Sequence, residues 1–195
     1  MASPPEALSH GQVSLRRWRP GDAAALLAAV IESQEHLRPW MPWADRYDAD
    51  SAAEFLRECE AQWASGDGFA YAIIVGDQIV GSAGLHNRVG DGALEIGYWV
   101  HGDWTGCGIA TDATAALTDA ALALPGIDRV EIYHDAANEA SGRIPAKLGY
   151  ARLGEQPARD LWPAAPSESG TDVVWQFTRW RSDQWHGREF EWSQQ

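Results

Sequence analysis

LEIGYWVHGDWTGCGIATDATAALTDAA, residues Leu94–Ala121, joins a strand-like run, a glycine-spaced loop and an alanine-rich run in that order. The apolar and aromatic residues of Leu94–Val100 predict a strand, and the alanine-rich run predicts a helix. Side chains alternate along a strand, so Glu95, Gly97 and Trp99 are expected on one face and the other four residues on the opposite face. Gly106 and Gly108 allow a tight turn and place no Cβ in the way of a ligand. The first turn of a helix has free N–H groups and a partial positive charge. This order therefore predicts an anion site, most often for phosphate.

The glycine loop alone does not decide which ligand it binds. It is not a Walker loop, because no Gly-Lys-Ser/Thr follows. It is not a dinucleotide fingerprint either, because Thr111 stands where the third glycine is required. A tight strand-to-helix connection without any ligand remains an equally good interpretation at this point.

The loop resembles the acetyl-CoA pyrophosphate loop of the GNAT N-acetyltransferase superfamily, whose pattern is Gln/Arg-x-x-Gly-x-Gly/Ala. This pattern falls on Thr105–Ala110, and Thr105 departs from it at the first position. In the family, backbone N–H groups carry most of the phosphate binding, and the loop keeps them. The resemblance implies acetyl-CoA as co-substrate, no metal, and cofactor contacts from Tyr98, Trp99, Val100, Thr105, Gly106, Cys107, Gly108, Ile109, Ala110, Thr111, Asn138 and Ser141.

A second segment, Asp135–Tyr150, resembles the GNAT sequence Asn-x-x-Ser…Lys-Leu-Gly-Phe/Tyr. Asn138 is of the type that caps a helix N-terminus, and Gly149 is of the type that ends one. Pro145 is unusual inside a helix and indicates a short or kinked one.

The segment Leu37–Ala44, with two prolines and two tryptophans, cannot be a regular helix interior. It resembles the Leu-x-x-Trp-x-Pro-Trp segment of the GNAT branch that contains the ribosomal-protein alanine N-acetyltransferases, where it lies near the acceptor. Packing of both tryptophans in the core is the alternative. The predicted acceptor contacts are Trp40, Trp43, His86, Asn87 and Trp162.

The fold class that these patterns and the resemblance predict is α/β (α+β). We expect a mixed, mostly antiparallel sheet of six to seven strands flanked by helices, with a splayed strand pair that holds acetyl-CoA. Residues 1–12 are predicted to be a loose leader, residues 13–179 the acetyltransferase domain, and residues 180–195 an aromatic tail that packs on the domain. A helix over Ala23–Glu32 with Asp22 as its N-cap, and another over Ser51–Ser65, are expected from their patterns.

Composition limits the classes of partner. The sequence has 15 basic and 28 acidic residues, and its net charge is −13. This charge argues against nucleic-acid binding and favours cationic acceptors. The alternative is that the acidic residues only form a solvated surface. The two cysteines form no disulfide framework or metal site. No apolar run is long enough to span a bilayer, and no signal peptide is recognisable. We expect a cytoplasmic monomer or homodimer without a membrane partner.

Acyl transfer from a thioester to an amine requires a neutral amine, a donor for the developing oxyanion and a donor for the leaving sulfur. Glu95 is the candidate general base, because a carboxylate in an apolar strand is costly unless used or paired, and burial would raise its pKa. Ser141 is the candidate donor to the sulfur, and a backbone N–H within Tyr98–Val100 is the candidate oxyanion donor. A salt bridge at Glu95 and a backbone hydrogen bond at Ser141 are the structural alternatives.

The predicted function is an acetyl-CoA-dependent N-acetyltransferase that acts on a protein N-terminus or a small amine by direct attack in a ternary complex. A catalytically inactive acyl-CoA-binding sensor or partner subunit, and a transferase of another acyl group such as succinyl, are the alternatives. The sequence does not decide among acceptors.

Overall fold

Eight strands form one sheet in the order β1-β2-β3-β4-β5-β6-β8-β7. The structure is a computed structural model that describes residues 2–161 and 163–179. Neighbouring strands are antiparallel throughout, except that β5 and β6 are parallel. The strands are β1 (Ala7–His10), β2 (Val13–Arg17), β3 (Gly68–Val75), β4 (Gln78–His86), β5 (Ala93–Val100), β6 (Arg129–Asp135), β7 (Ala151–Pro157) and β8 (Thr171–Thr178). The predicted mixed sheet is confirmed, with one strand more than the upper expectation.

Helices cover both faces of the sheet and bury two apolar clusters. The helices are α1 (Ala23–Glu32), α2 (Gln34–Leu37), α3 (Ala49–Ser65), α4 (Ile109–Leu122) and α5 (Glu139–Lys147). One cluster contains α4 residues such as Leu117, and the other contains residues of α1 and α3 such as Leu26 and Leu56. Strand β5 contributes to both, because Ile96 joins the first cluster and Trp99 the second. This is the period-two alternation predicted for the strand.

Strands β5 and β6 separate after a short parallel ladder. They pair only over Ala93–Glu95 and Arg129–Glu131. Beyond Glu95, β5 continues along β4 as far as Val100, whereas β6 continues along β8 as far as Asp135. The facing edge of β5 therefore has no partner strand among the described residues, and a cleft opens beside Tyr98–Val100. This is the splayed strand pair that was predicted.

One prediction near the N-terminus is wrong, and another holds only in position. The segment predicted as a loose leader contains β1, which pairs with β2, and the Tyr71 hydroxyl donates to the Pro5 carbonyl at 2.8 Å. Asp22 is the N-cap residue of α1, as predicted, but its side chain makes no capping hydrogen bond to that helix. Its carboxylate instead accepts from both terminal nitrogens of Arg16, at 2.7 and 2.9 Å, and from the Arg19 backbone N–H at 2.8 Å.

The ends of the other predicted helices agree with the structure to within one helical turn. Helix α3 begins at Ala49 and is capped by Asp48, which accepts from the Ser51 N–H at 2.8 Å. Helix α5 is capped by Asn138, contains Pro145 and is followed by Gly149 with φ +74°. The predicted tail 180–195 and the acceptor contact Trp162 lie outside the described residues. No described helix is long and apolar enough to cross a membrane.

Candidate active site

The glycine loop between β5 and α4 has the backbone conformation that its sequence predicts. Gly106 and Gly108 have φ values of +75° and +83°, a region that residues with a Cβ rarely adopt. Helix α4 begins at Ile109 directly after Gly108. The N–H groups of its first turn have no intrahelical acceptor, so they are available to an anion.

The turn between β1 and β2 braces this loop. The Gln12 side-chain amide donates to the Cys107 carbonyl at 2.7 Å, and the Gln12 backbone N–H donates to the Asp112 carboxylate at 3.2 Å. Asp112 lies in the first turn of α4, where its charge would repel a bound phosphate. The hydrogen bond from the Gln12 N–H binds one oxygen of this carboxylate to the β1–β2 turn.

A cavity of about 340 Å³, here called the loop cavity, runs from the glycine loop to the cleft between β5 and β6. Eleven of the twelve predicted cofactor contacts line it: they are Tyr98, Trp99, Val100, Thr105, Gly106, Gly108, Ile109, Ala110, Thr111, Asn138 and Ser141. Cys107 does not line it; the thiol is exposed and its Sγ lies 3.6 Å from the Thr105 carbonyl. Cys107 contributes its carbonyl to the Gln12 brace instead.

Two hydroxyl groups meet where the loop cavity reaches the cleft. The Tyr98 hydroxyl donates to the Ser141 carbonyl at 3.2 Å and lies 3.1 Å from Ser141 Oγ. Asn138 Oδ1 accepts from the Ser141 N–H at 3.1 Å, which fixes this turn of α5. Burial raises the pKa of Tyr98 to about 12, so its hydroxyl stays protonated and can donate.

A second cavity of about 260 Å³, the arginine cavity, opens on the other side of β5. Trp40, Trp43, Arg88, Glu95 and Arg159 are among its lining residues. It shares Tyr98 and Ser141 with the loop cavity, so the two cavities meet at these side chains. Trp43 is 39% exposed, and the alternative that both tryptophans are core residues does not hold for it.

Glu95 is buried between two arginines. Arg88 donates to the two carboxylate oxygens at 2.6 and 2.9 Å, and Arg159 donates to the same two oxygens at 2.7 and 3.0 Å. Burial by itself raises the pKa of Glu95, but the hydrogen bonds and charges of Arg88 and Arg159 outweigh it and lower the pKa to about 2. The prediction that Glu95 has a raised pKa is therefore wrong, because two arginines bind the carboxylate.

A third cavity of about 570 Å³, the α3 cavity, lies between α3 and the sheet. His86 lines it, and burial together with Arg88 lowers the pKa of His86 to about 4, so the imidazole is neutral at pH 7. Gly97 and Tyr98 line both this cavity and the arginine cavity. Tyr98 also lines the loop cavity, so all three cavities converge on this residue of β5.

A family model of the acetyltransferase (GNAT) domain matches residues 12–151. The chain belongs to the GNAT acetyltransferase family. Among curated proteins it is similar to the "Putative ribosomal N-acetyltransferase YdaF" of Bacillus subtilis (strain 168), with 31% identity over 152 residues that cover 76% of this chain and 81% of the relative.

Solved structures agree with this placement among the GNAT acetyltransferases. Mycobacterium smegmatis RimJ in complex with CoA-disulfide superposes with a TM-score of 0.77 at 25% identity, over 90% of this chain and 87% of that chain. RimL, a ribosomal L7/L12 alpha-N-protein acetyltransferase solved with coenzyme A, gives a TM-score of 0.79 at 17% identity, over 89% of this chain and 98% of that chain. The second likeness shows the fold alone.

One predicted acceptor contact, Asn87, lies outside the three cavities. The site also contains three residues that were not predicted: Gln12, Arg88 and Arg159. Asn87 is exposed, bonds the Asp67 carbonyl through its N–H and lines none of the three cavities. Arg88 stands two residues after His86, so strand alternation could have placed it on the same face. Arg159 and Gln12 carry no local signal, because both reach the site through the tertiary fold.

The segment between β7 and β8 brings Arg159 into the site. Its far end is held by Asp135, which accepts from the backbone N–H groups of Ser169 and Gly170 at 2.8 and 3.2 Å. The Ser167 N–H donates at 3.0 Å to the carbonyl of Pro39, which belongs to the segment Leu37–Ala44. The Arg159 guanidinium lies 3.6 Å from the ring centroid of Tyr133. These contacts make the segment a wall of the arginine cavity.

Proposed function

We propose that this chain transfers the acetyl group of acetyl-CoA to a primary amine, the N-terminal amine of a polypeptide, by direct attack in a ternary complex. The observation that carries this proposal is the meeting of the loop cavity and the arginine cavity at Tyr98 and Ser141. A thioester that enters from the glycine loop and an amine that enters from the Trp43 side would come together there. The similarity to YdaF, named a ribosomal N-acetyltransferase, and to RimL, named a ribosomal L7/L12 alpha-N-protein acetyltransferase, supports a polypeptide acceptor.

The glycine loop would bind the pyrophosphate of acetyl-CoA through backbone N–H groups. The amides from Gly106 to Thr111 surround the N-terminus of α4, and the loop cavity leads from them to the cleft beside β5. The pantetheine arm would lie in this cleft, where the edge of β5 has unpaired backbone groups. Solved relatives that contain CoA support this assignment of the cavity.

The hydroxyl pair would act on the departing sulfur. When the amine attacks the thioester carbonyl, the oxyanion would accept from a backbone N–H of β5 within Tyr98–Val100, and the C–S bond would then break. Ser141 Oγ is positioned beside Tyr98 to donate a hydrogen bond to the leaving thiolate. The thiolate finally takes the proton that the attacking amine loses, so the chain needs no covalent intermediate.

Glu95 acts in this proposal as a positioning residue that holds Arg88 and Arg159 along the acceptor path. Its general-base role stays a prediction, and the four hydrogen bonds to its oxygens argue against it. An N-terminal α-amine has a pKa of about 7.7–8.0, so roughly a tenth of it is neutral at pH 7. A strong base is therefore not needed for such an acceptor, and water can remove the proton.

The test is an acetylation assay with purified protein, acetyl-CoA and peptides with free N-termini. CoA release is followed with a thiol reagent, and mass spectrometry locates the acetyl group. We expect transfer to the α-amine, with a rate that rises between pH 6 and 9 as this amine loses its proton. Transfer only to lysine side chains, with a rate still rising above pH 9, would contradict a polypeptide N-terminus as the acceptor.

One observation favours a second candidate, an acyl-CoA-binding protein without catalysis. Both oxygens of Glu95 are engaged, and the arginines close part of the acceptor path. Calorimetry separates the two functions: tight CoA binding without CoA release against any amine would support the binding protein.

A further inference from the structure

The α3 cavity is the largest of the three cavities. Where the sheet lines this cavity, two paired glycines present no side chain to it. Gly84 of β4 pairs with Gly97 of β5. A Cβ on Gly97 would lie 3.5 Å from His86 Nε2, and one on Gly84 would lie 3.3 Å from the Ala70 Cα. Larger residues at either position would fill the space between the sheet and α3. Both glycines line this cavity of about 570 Å³, which also reaches Tyr98, where the three cavities converge.

Aromatic rings form one wall of the cavity. The ring of Trp43 packs against Tyr47 at a centroid distance of 5.5 Å and against Trp99 at 6.0 Å. Phe55 of α3 contributes a further ring. Flat aromatic faces hold an alkyl stem by apolar contact and attract a cation through the ring quadrupole.

The charges at the cavity are acidic. Glu54 and Glu58 line it one helical turn apart on α3, an arrangement of like charges that slightly destabilises a helix. Glu54 pairs with Arg57, whereas Glu58 makes no ion pair within the part of the chain that the structure describes. The charge of Arg88 is matched by Glu95, and His86 is neutral at pH 7, so neither opposes a cation.

We propose that the α3 cavity is a specificity pocket for a second positive charge on the acceptor, carried on an aliphatic stem close to the reacting amine. This inference rests on the proposed function. Gly97 and Tyr98 line both this cavity and the arginine cavity, and Tyr98 also lines the loop cavity. An amine bound where the arginine cavity meets the loop cavity can therefore extend its stem over the two glycines and past the aromatic wall, with its ammonium or guanidinium group at Glu58. A lysine or arginine near a polypeptide N-terminus and a polyamine both present this chemistry.

The experiment uses the full chain and peptides in which one lysine moves through the first three positions. Norleucine at the same position is the control, since it has an alkyl stem without the charge. We expect kcat/KM to be about 5–20-fold higher for the best lysine peptide than for its norleucine partner, and the difference to shrink as salt is added. Spermidine serves as the small-molecule probe.

Glu58→Gln should lower the ratio of kcat/KM between the lysine and the norleucine peptide by about 3–5-fold, as expected for one partly solvated charge pair. Glu60→Gln is the matched control, because Glu60 lies on the same helix, is exposed and does not line the cavity. The norleucine peptide should react equally well with both variants. Equal effects of the two substitutions on the lysine peptide would overturn the pocket.

Binding without turnover separates this inference from the proposed function. The CoA-loaded protein is titrated with the lysine peptide, the norleucine peptide and spermidine, with tryptophan fluorescence as the readout, since Trp43 and Trp99 line the cavity. Glu58-dependent binding of the charged probes supports the pocket even if no acetyl group is transferred. Acetylation without preference for the charged acceptor retains the proposed function and refutes the pocket. Glu58-dependent acetylation of spermidine but not of peptides identifies the polyamine as the source of the cation.

Discussion

Replacing Glu95 with glutamine tests the electrostatic argument at the centre of the site. The glutamine keeps the shape of the side chain but loses the charge that binds two arginines. The Glu95 side chain is 4% exposed, whereas Arg88 and Arg159 are 30% and 24% exposed. The arginines can therefore recover part of their solvation in the variant, and the loss will be smaller than for a fully buried ion pair.

The magnitude follows from the pKa of Glu95. A fall from 4.5 to about 2 corresponds to about 3 kcal/mol, and water around the arginines reduces this to about 2–3 kcal/mol at pH 7. For a chain of this length we expect the melting temperature to fall by roughly 5–10 °C. Because the folded-state pKa is depressed, this stabilisation is present above pH 4.5 and is lost as the pH falls towards 2.

The assay is denaturant unfolding of both proteins at several pH values. The difference in unfolding free energy should narrow by about 1 kcal/mol between pH 7 and pH 4, because the wild-type protein alone loses the ion-pair contribution. Glu131→Gln is the matched control, since Glu131 is buried on the neighbouring strand, pairs with Arg129 and lines none of the three cavities. It should destabilise the protein with a smaller effect on acetyl transfer than Glu95→Gln, because Glu131 reaches the arginine cavity through the hydrogen bond that it accepts from the Tyr133 hydroxyl.

Kinetics of the Glu95→Gln variant decide between a positioning residue and a base. A positioning residue predicts a raised KM for the amine, a kcat within about tenfold of wild type and an unchanged pH profile. General-base catalysis is worth roughly 10²–10⁴-fold. A fall of that size in kcat, with wild-type stability and an unchanged KM, would refute the argument from the arginine pair.

Three further substitutions test the loop and the hydroxyl pair. Gly108→Ala should weaken CoA binding in calorimetry by more than tenfold. Gly126→Ala is the control, because Gly126 has a φ of +82° against +83° at Gly108, and it should lose only about 1 kcal/mol of folding stability from the strained backbone. Equal CoA affinity in the two variants would remove the loop from the site. Gln12→Ala should raise the Kd for CoA by about 3–10-fold with little change in melting temperature, as for one lost hydrogen bond, and an unchanged Kd would show that the brace is dispensable. Ser141→Ala should lower kcat by about 10–100-fold at constant CoA affinity, and a wild-type kcat would assign the sulfur donor elsewhere.

Local sequence patterns predicted the parts of the fold and the site that depend on neighbours in the chain. The alternation in Leu94–Val100 placed Glu95 and Trp99 on one face, and Gly106 and Gly108 indicated a loop with positive φ. Asn138 and Gly149 marked the two ends of α5. These features are set by periodicity and by steric limits on φ, which act over a few residues.

The error at Glu95 shows where local reasoning ends. The sequence shows a carboxylate in an apolar strand, and burial alone would raise its pKa. The sign of the pKa shift reverses because Arg88 and Arg159 both bind the carboxylate, and Arg159 comes from a segment 64 residues later in the chain. Ala7–His10 was mistaken for a leader for a similar reason, since an edge strand of four residues has too short a pattern to be distinguished from a tail.

By itself, the sequence determined the glycine loop between a strand and a helix and placed Glu95 and Ser141 in β5 and α5, because each of these features rests on spacing within a few residues. The fold class followed from these patterns together with the resemblance to the GNAT superfamily. Only the tertiary structure decided that Glu95 is paired, that Gln12 supports the loop and that three cavities meet at Tyr98. The physical reason is that pKa values and cavities depend on which charges and surfaces lie within a few ångströms, and sheet order brings these together from distant parts of the chain.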